Sequence, residues 1–322
     1  MKIIYMGTPE FAVPPLKAII ENDYEVAAVF TQPDKPKGRS KKLIAPPVKE
    51  EALSHDIPVY QPERLRDREN VDIIKSIAPD MIVVAAYGQI LPAFILEIPP
   101  MGCINIHASL LPKYRGAAPI ERCIIDGESE TGVTTMYMAK GLDTGDIIDC
   151  VRVAIDSNDT GGTLTEKLSK AGAELIIKTM GELENGLAKR TPQDEAKSSY
   201  AAMLSKETGL IDFDSPAEKV ERLMRGLDPR PSAYTFIKGK QIKLFRADAL
   251  SEGESVVSEA RKEYKPGTII ESEKKFFTIL CGEGALRIRS LQPEGKGRMD
   301  AASYQNGNRL AVGELCSKTK DI

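Results

Sequence analysis

The chain has 322 residues, 42% apolar and 28% charged, with a formal net charge of −3, which excludes a disordered polyelectrolyte and a globally basic nucleic-acid binder. Only two histidines, His55 and His107, are present, so a multi-histidine metal centre is excluded, and no metal is expected. The five cysteines are odd in number and form no CxxC, which argues against a disulfide framework and a zinc knuckle and fits a reducing compartment. No apolar run approaches the roughly 20 residues that span a bilayer, so the expectation is a cytoplasmic protein with no membrane association.

In chain order, KIIYM (2–6) reads as a short buried strand, followed by Gly7, Thr8 as N-cap and Pro9 near the first helical position. Pro14 and Pro15 delay that helix beyond a tight turn. VAAVFT (26–31) and MIVVAAY (81–87) are continuous apolar runs, the pattern of parallel strands covered on both faces. GCINIH (102–107) and GVTTMYM (132–138) follow, with helical APIERCII (118–125) between them. This alternation predicts an open parallel α/β sheet, Rossmann-like, wound with right-handed crossovers.

A long helix is expected over about 163–186, opened by Thr163 and Glu166 at capping-box spacing. Residues 188–207 are polar, contain Pro192, Ser198 and Ser199, and read as a linker between a first domain (1–187) and a second (208–322). In the second, a helix over 216–227 precedes the short strands AYTFIK, QIKLFRA, GTII, FFTIL and ALRIRSLQ, which predict a small antiparallel barrel or sandwich. Charge divides unevenly: residues 206–322 hold 21 basic against 18 acidic side chains, net +3, and the remainder is net −6.

Three features carry chemistry. Asn105 and His107 share one face of the 102–107 strand, roughly 6.6 Å apart, at the carboxyl end where open α/β sheets bind ligands. The strand feeds directly into SLLPKYRGAAP (109–119). GLDTGD (141–146) then supplies Asp143 and Asp146, either of which can orient His107 or serve as an ordinary turn residue. Cys103 lies on the same face as His107, but alternation alone does not aim a thiol at an imidazole, and His55 reads as a surface residue. The third feature is the segment 31–48, where Lys35, Lys37, Arg39, Lys41 and Lys42 stand against the single acid Asp34; Pro33, Pro36 and Gly38 keep its basic part from being helical, and its charge suits phosphate backbones. Neither GxGxxG nor GxxxxGK[ST] occurs, so a nucleotide-phosphate cradle has little support.

Taken together, MGTPEFAVPPL, VFTQPDKPKGRSKKL, AAYGQILP, GCINIHASLLPKYRGAAPI, GLDTGD, SYAAMLSKE and LQPEGKGRM resemble the folate-dependent formyltransferases, in their methionyl-tRNA branch, in order along nearly the whole chain. The resemblance implies a Rossmann-like formyltransferase domain followed by a small OB-like β-barrel that binds tRNA. It also implies 10-formyltetrahydrofolate as donor, initiator methionyl-tRNA as acceptor and partner, and a monomer. Asn105, His107 and Asp143 match the family's catalytic trio, and Ser109, Leu110, Leu111 and Pro112 its folate-binding turn. Loops 87–92 and 141–144 are implied to line the pterin pocket. The basic residues Lys35, Lys37, Arg39, Lys41 and Lys42 match the tRNA-inserting loop. Two positions depart from the pattern: Tyr114 stands where many relatives have tryptophan, and Met203 replaces a frequent basic residue, leaving Lys206 as the nearer candidate for tRNA contact.

Overall fold

The computed structural model describes residues 1–37 and 42–320. The chain forms two compact units, one made of Met1–Pro119, Glu130–Ala154 and Leu164–Ala202, the other of Ile120–Ser129, Ile155–Thr163 and the chain from Met203 onward. Cuts at 187 and 208 differ from this division, because 188–202 belongs with the first unit and two excursions, 120–129 and 155–163, with the second. The first excursion has a packing reason: Ile125, on the helix Pro119–Asp126, lies against the second unit's core.

The first unit is built on a seven-stranded sheet of β1 (Lys2–Gly7), β2 (Glu25–Phe30), β3 (Val59–Tyr60), β4 (Met81–Ala85), β5 (Cys103–His107), β6 (Glu130–Tyr137) and β7 (Ile147–Ala154), in the order β7-β6-β5-β4-β1-β2-β3. The strands β1 to β5 pair in parallel, as the apolar runs of β1, β2 and β4 predict; the two-residue edge strand β3 is not among the predicted strands. GVTTMYM does not extend the parallel set: β6 runs antiparallel to both β5 and β7. Only nine residues connect β6 to β7, too few for a parallel crossover, so the pair closes as a hairpin.

Every residue of β4 is buried. On one face Ile4, Met6, Phe30, Ile82, Val84 and Cys103 pack with Val71 and Ile74 of the helix Arg68–Ile77. The long helix Gly161–Glu184 buries Leu164, Leu168, Ile176 and Met180 completely. It comes closest at Gly172, where a Cβ would stand 3.1 Å from Ile106 Cγ2. Ile106 therefore points to the long helix, and Asn105 and His107, out of phase with it along the strand, point away from that helix.

Two predicted caps are placed differently. The long helix is opened by Thr160 and Thr163, each backbone N–H donating to the other's Oγ1 at 2.9 and 3.2 Å, three residues ahead of the Thr163/Glu166 pair. Thr8 caps no helix; its hydroxyl donates to the Tyr87 carbonyl at 2.9 Å. A 3-10 turn, Glu10–Ala12, intervenes before the helix Val13–Glu21, whose first turn takes Pro14 and Pro15 where no N–H is needed.

The second unit's sheet is antiparallel, with strands in the order Ile269–Ser272, Phe277–Leu280, Ala285–Pro293, Lys240–Leu250, Ala233–Ile237 and Cys316–Ser317. Its first hairpin turns on Lys238 and Gly239, both at positive φ, the geometry a two-residue turn requires. The sheet curls until its edges meet: Ile269 N–H donates to the Glu314 carbonyl and Cys316 N–H to the Gly267 carbonyl, both at 2.8 Å. Val220 and Met224 of the helix Ala217–Gly226 join Leu244, Phe277, Ile279 and Ile288 in its core. No helix among the described residues is long and apolar enough to cross a membrane.

Leu168 is 0% exposed beneath the sheet, so Leu168→Ala is expected to cost about 2–5 kcal/mol, read as a lower urea midpoint at unchanged slope.

Candidate active site

The site forms where the sheet changes direction. The chain passes from β1 outward to β2 and β3, then returns to lay β4 on the other side of β1, making a switch point at the β1/β4 carboxyl ends. β4 stops at Ala85, and the chain turns away through Ala86 (φ 47°) and Gly88 (φ 86°). The Tyr87 carbonyl accepts from both Thr8 Oγ1 and Gln32 Nε2, fastening this loop to the ends of β1 and β2. β5 pairs with β4 only as far as Asn105 and carries Ile106 and His107 beyond it.

The Asp143 carboxylate is the shared partner at this strand end. Asn105 Nδ2 lies 3.4 Å from Asp143 Oδ1, and His107 Nδ1 lies 3.7 Å from Asp143 Oδ2. The Gly116 N–H donates to the same Oδ2 at 2.8 Å. His107 Nε2 stands 3.0 Å from the Tyr114 carbonyl; a carbonyl only accepts, so Nε2 carries the proton and Nδ1 is the nitrogen that faces Asp143. Asn105, His107 and the Asp143 side chain are 8%, 6% and 12% exposed, so their mutual charges act with little screening by water. An acceptor, two amide donors and a titratable ring thus converge at one strand end.

Backbone geometry holds Asp143 in place. It takes a positive φ of 51°, and the loop returns so tightly that a Cβ at Gly145 would stand 1.7 Å from the Tyr137 carbonyl oxygen. The neighbouring Asp146 has a different role: it pairs with Arg190 at 3.5 Å and is 38% exposed, so Asp143 alone of the two aspartates meets His107. Cys103 shares the strand face but lies at its other end. Its thiol sits near the Ile95 and Leu96 carbonyls, and burial pushes its pKa up to about 12, unsuited to a nucleophile. His55 is at the surface beside Glu51.

The 109–112 turn is fixed by its own polar groups. Ser109 Oγ donates to the Lys113 carbonyl at 2.6 Å, and Thr134 Oγ1 donates to the Ser109 carbonyl at 2.7 Å while accepting from Leu111 N–H at 3.2 Å. The polar segment after 190, read in the sequence as linker, is laid along this turn. Thr191 exchanges both backbone bonds with Ile147 at 2.9 Å, and Tyr200–Ala201 pairs in parallel with Arg115–Gly116. Gly116 adopts φ 117°, and a Cβ there would meet Tyr200 Cε2 at 2.7 Å and the Ala201 carbonyl at 2.8 Å.

Sequence reasoning missed the side chains that anchor this strap. Arg115, 7% exposed, donates to Glu195 through both Nη atoms and to Gln193 Oε1 through Nε and Nη2. Gln193 Nε2 donates to the carbonyls of Asp143 and Gly145, both at 2.8 Å. The available signal was Arg115 itself, since a guanidinium inside an apolar turn needs a carboxylate from elsewhere in the chain.

The basic segment is a ribbon at its base. Lys35–Lys37 pairs antiparallel with Lys42–Ile44, and Lys35 is exposed; Arg39 and Lys41 lie outside the described residues, as do the side chains of Lys37 and Lys42. The ribbon is rooted by Asp34, which accepts from Lys49 Nζ at 2.9 Å and Gln61 Nε2 at 2.7 Å; these bonds, Gln61's first, hold its carboxyl below the usual range. Lys206, in the second unit, is exposed at the start of the 3-10 turn Glu207–Gly209.

The Glu195 carboxyl is lowered chiefly by its bond to Arg115. A depressed folded-state pKa contributes stability above the unfolded value that is lost as pH falls through the depressed one. Amide exchange at Arg115 and Ala117, whose N–H groups donate to the Ser199 and Ala201 carbonyls, should therefore stay protected at neutral pH and lose protection only below the ordinary Glu range of about 4.3. Equal protection down to full protonation would mean that the ion pair does not hold the strap.

Residues 1–180 match the formyl transferase family and residues 203–309 match the formyl transferase C-terminal domain. The methionyl-tRNA formyltransferase of Lachnospira eligens is 51% identical over 315 residues, covering 98% of this chain and 99% of its own length. That of Alkaliphilus metalliredigens is 50% identical and covers 98% of both. In fold the chain is similar to WlaRD, a sugar 3N-formyl transferase solved in the presence of dTDP and 5-N-formyl-THF, with a TM-score of 0.66 at 22% identity over 92% of this chain and 99% of that one. With both domains matched and full-length relatives at half identity, the chain belongs to the formyl transferase family, in its methionyl-tRNA formyltransferase branch.

Proposed function

We propose that the protein transfers the formyl group of 10-formyltetrahydrofolate to the α-amino group of methionine on initiator tRNA, as a cytoplasmic monomer, with Asn105, His107 and Asp143 as its catalytic residues. The observation that carries the assignment of residues is the Asp143 carboxylate, within 3.4 Å of the Asn105 amide and 3.7 Å of the His107 ring at the carboxyl end of β5. Formyl transfer needs what this arrangement offers. The amine nitrogen attacks the formyl carbon, the carbonyl oxygen gains negative charge, and the nitrogen becomes cationic and must release one of its own protons.

Asn105 commits one N–H towards Asp143 and has a second to donate to the developing oxyanion. His107 accepts the amine proton at Nδ1, because Nε2 is already donating to the Tyr114 carbonyl. The resulting imidazolium has a carbonyl against one N–H and the Asp143 carboxylate facing the other. As the bond from the formyl carbon to the folate N10 breaks, His107 returns the proton to that nitrogen. N-formylmethionyl-tRNA and tetrahydrofolate leave, and the enzyme ends as it began. The Ser109–Pro112 turn and the 87–92 and 141–144 loops suit the folate: Ile90 and Leu142, 85% and 55% exposed, lie on those loops and offer apolar surface to a planar pterin.

Removing the amide donor by Asn105→Ala should lower kcat by about 10²–10³, roughly 2.7–4 kcal/mol, with the fold retained. The measurement is transfer of labelled formyl to initiator against elongator methionyl-tRNA. Full activity of Asn105→Ala and His107→Ala would remove these residues from the mechanism. Turnover of glycinamide ribonucleotide with none of charged tRNA would overturn the acceptor.

Lys35, Lys37, Arg39, Lys41 and Lys42 are proposed to meet tRNA phosphates, and Lys206 to meet the tRNA from the second unit. Neutralising the five should weaken tRNA binding and reduce the steepness of log K against log salt by about 0.7–0.9 per lost contact. An unchanged slope would mean that the ribbon does not touch phosphates. Folate affinity should be unaffected.

A further inference from the structure

We infer that Gln193 is a positioning residue for the transfer reaction, acting through Asp143; the inference rests on the catalytic assignment proposed above. The chain closes a ring around the carboxylate. Asp143 Oδ2 accepts from the Gly116 N–H; Arg115, one residue earlier, donates through Nε and Nη2 to Gln193 Oε1; and Gln193 Nε2 donates back to the Asp143 carbonyl. Each end of the Gln193 amide makes two bonds, at 2.8–3.0 Å, so its donors and acceptor are matched without an ordering ambiguity.

The ring matters because Asp143 is the member of the site least held by regular structure. Asn105 and His107 are strand residues, paired on both sides or at the strand end. Asp143 sits in a loop at φ 51°, a conformation a non-glycine residue keeps only when its surroundings over-determine it. The Asp143 and Gly145 carbonyls lie on either side of Thr144, and one side chain grips both. Arg115 sets where that side chain can be, and Glu195 in turn sets Arg115 through its bidentate pair. Gln193 touches no reacting atom in this geometry; its effect on transfer passes entirely through the placement of Asp143.

The chemistry distinguishes its two ends. Gln193→Glu keeps an acceptor for Arg115 and removes both donors to the loop carbonyls. Gln193→Ala removes everything. If the grip on the loop is what matters, both variants lose kcat by about tenfold to a hundredfold, the scale of a displacement near 1 Å at a reacting centre, with KM for folate and tRNA within about twofold of wild type. If Gln193 serves only to neutralise and seat Arg115, Gln193→Glu behaves as wild type, and the inference is overturned.

A double-mutant cycle with Asp143→Asn supplies the decisive readout, alongside melting temperatures that confirm each variant is folded. Acting through the carboxylate, Gln193→Ala should lower kcat further by less than about threefold in the Asp143→Asn background. Full additivity of the two losses overturns the inference while leaving the site standing. Wild-type activity of Asp143→Asn overturns the site reading itself. A Gln193→Ala variant that fails to fold is replaced by Gln193→Met, which keeps the volume and removes the same bonds; wild-type kcat in that variant also overturns the inference.

Discussion

A carboxylate taken out of water has to be met by donors, and that requirement organises the first unit's strand end. Asp143 accepts from the Asn105 amide on β5 and from the Gly116 backbone N–H in the turn that follows, and it faces His107 Nδ1 from the same strand as Asn105. Losing any one leaves charge in a place of low polarity, which is why the loop, the strand and the turn are interlocked rather than merely adjacent. In the proposed mechanism, the same charge that is costly to bury also supports a protonated imidazole. Stability and chemistry here draw on one interaction.

Two neighbouring strands end at different depths at this site. β4 stops at Ala85 while β5 continues to His107, and the antiparallel β6 covers β5 as far as Thr134. One side of β5 is thus sealed by a ladder and the other is bare for the last two residues. Polar residues at positions 105 and 107 fall on the face away from the long helix, so neither disturbs the apolar packing of Ile104 and Ile106. A single residue's slip in register would exchange the two sets.

What the sequence made legible follows from the range over which each signal acts. Buried parallel strands announce themselves as unbroken apolar runs, so β1, β2 and β4 were readable nearly residue by residue; β5 and the short strands of the second unit were readable from alternation and turn signals. Strand alternation placed Asn105 and His107 on one face. Alternation cannot say how a distant loop closes, so Asp143 and Asp146 stayed equivalent until their partners, His107 and Arg190, were seen. The direction of β6 and the starting point of the long helix were also misread, because loop length and a two-threonine exchange decide them rather than hydrophobic periodicity. The strap was missed altogether: a polar, proline-bearing stretch has the composition of a linker, and only the backbone donors of a neighbouring turn give it a fixed course.

That strap changes where a catalytic module ends. A chain severed at residue 187, where composition suggests the seam, discards the strand partner of Arg115–Gly116, the hydroxyl that receives the Tyr114 N–H and the counter-charge of a buried guanidinium. The first unit itself runs through Ala202. The stretch most like a disposable tether is therefore the part of the first unit least open to exchange.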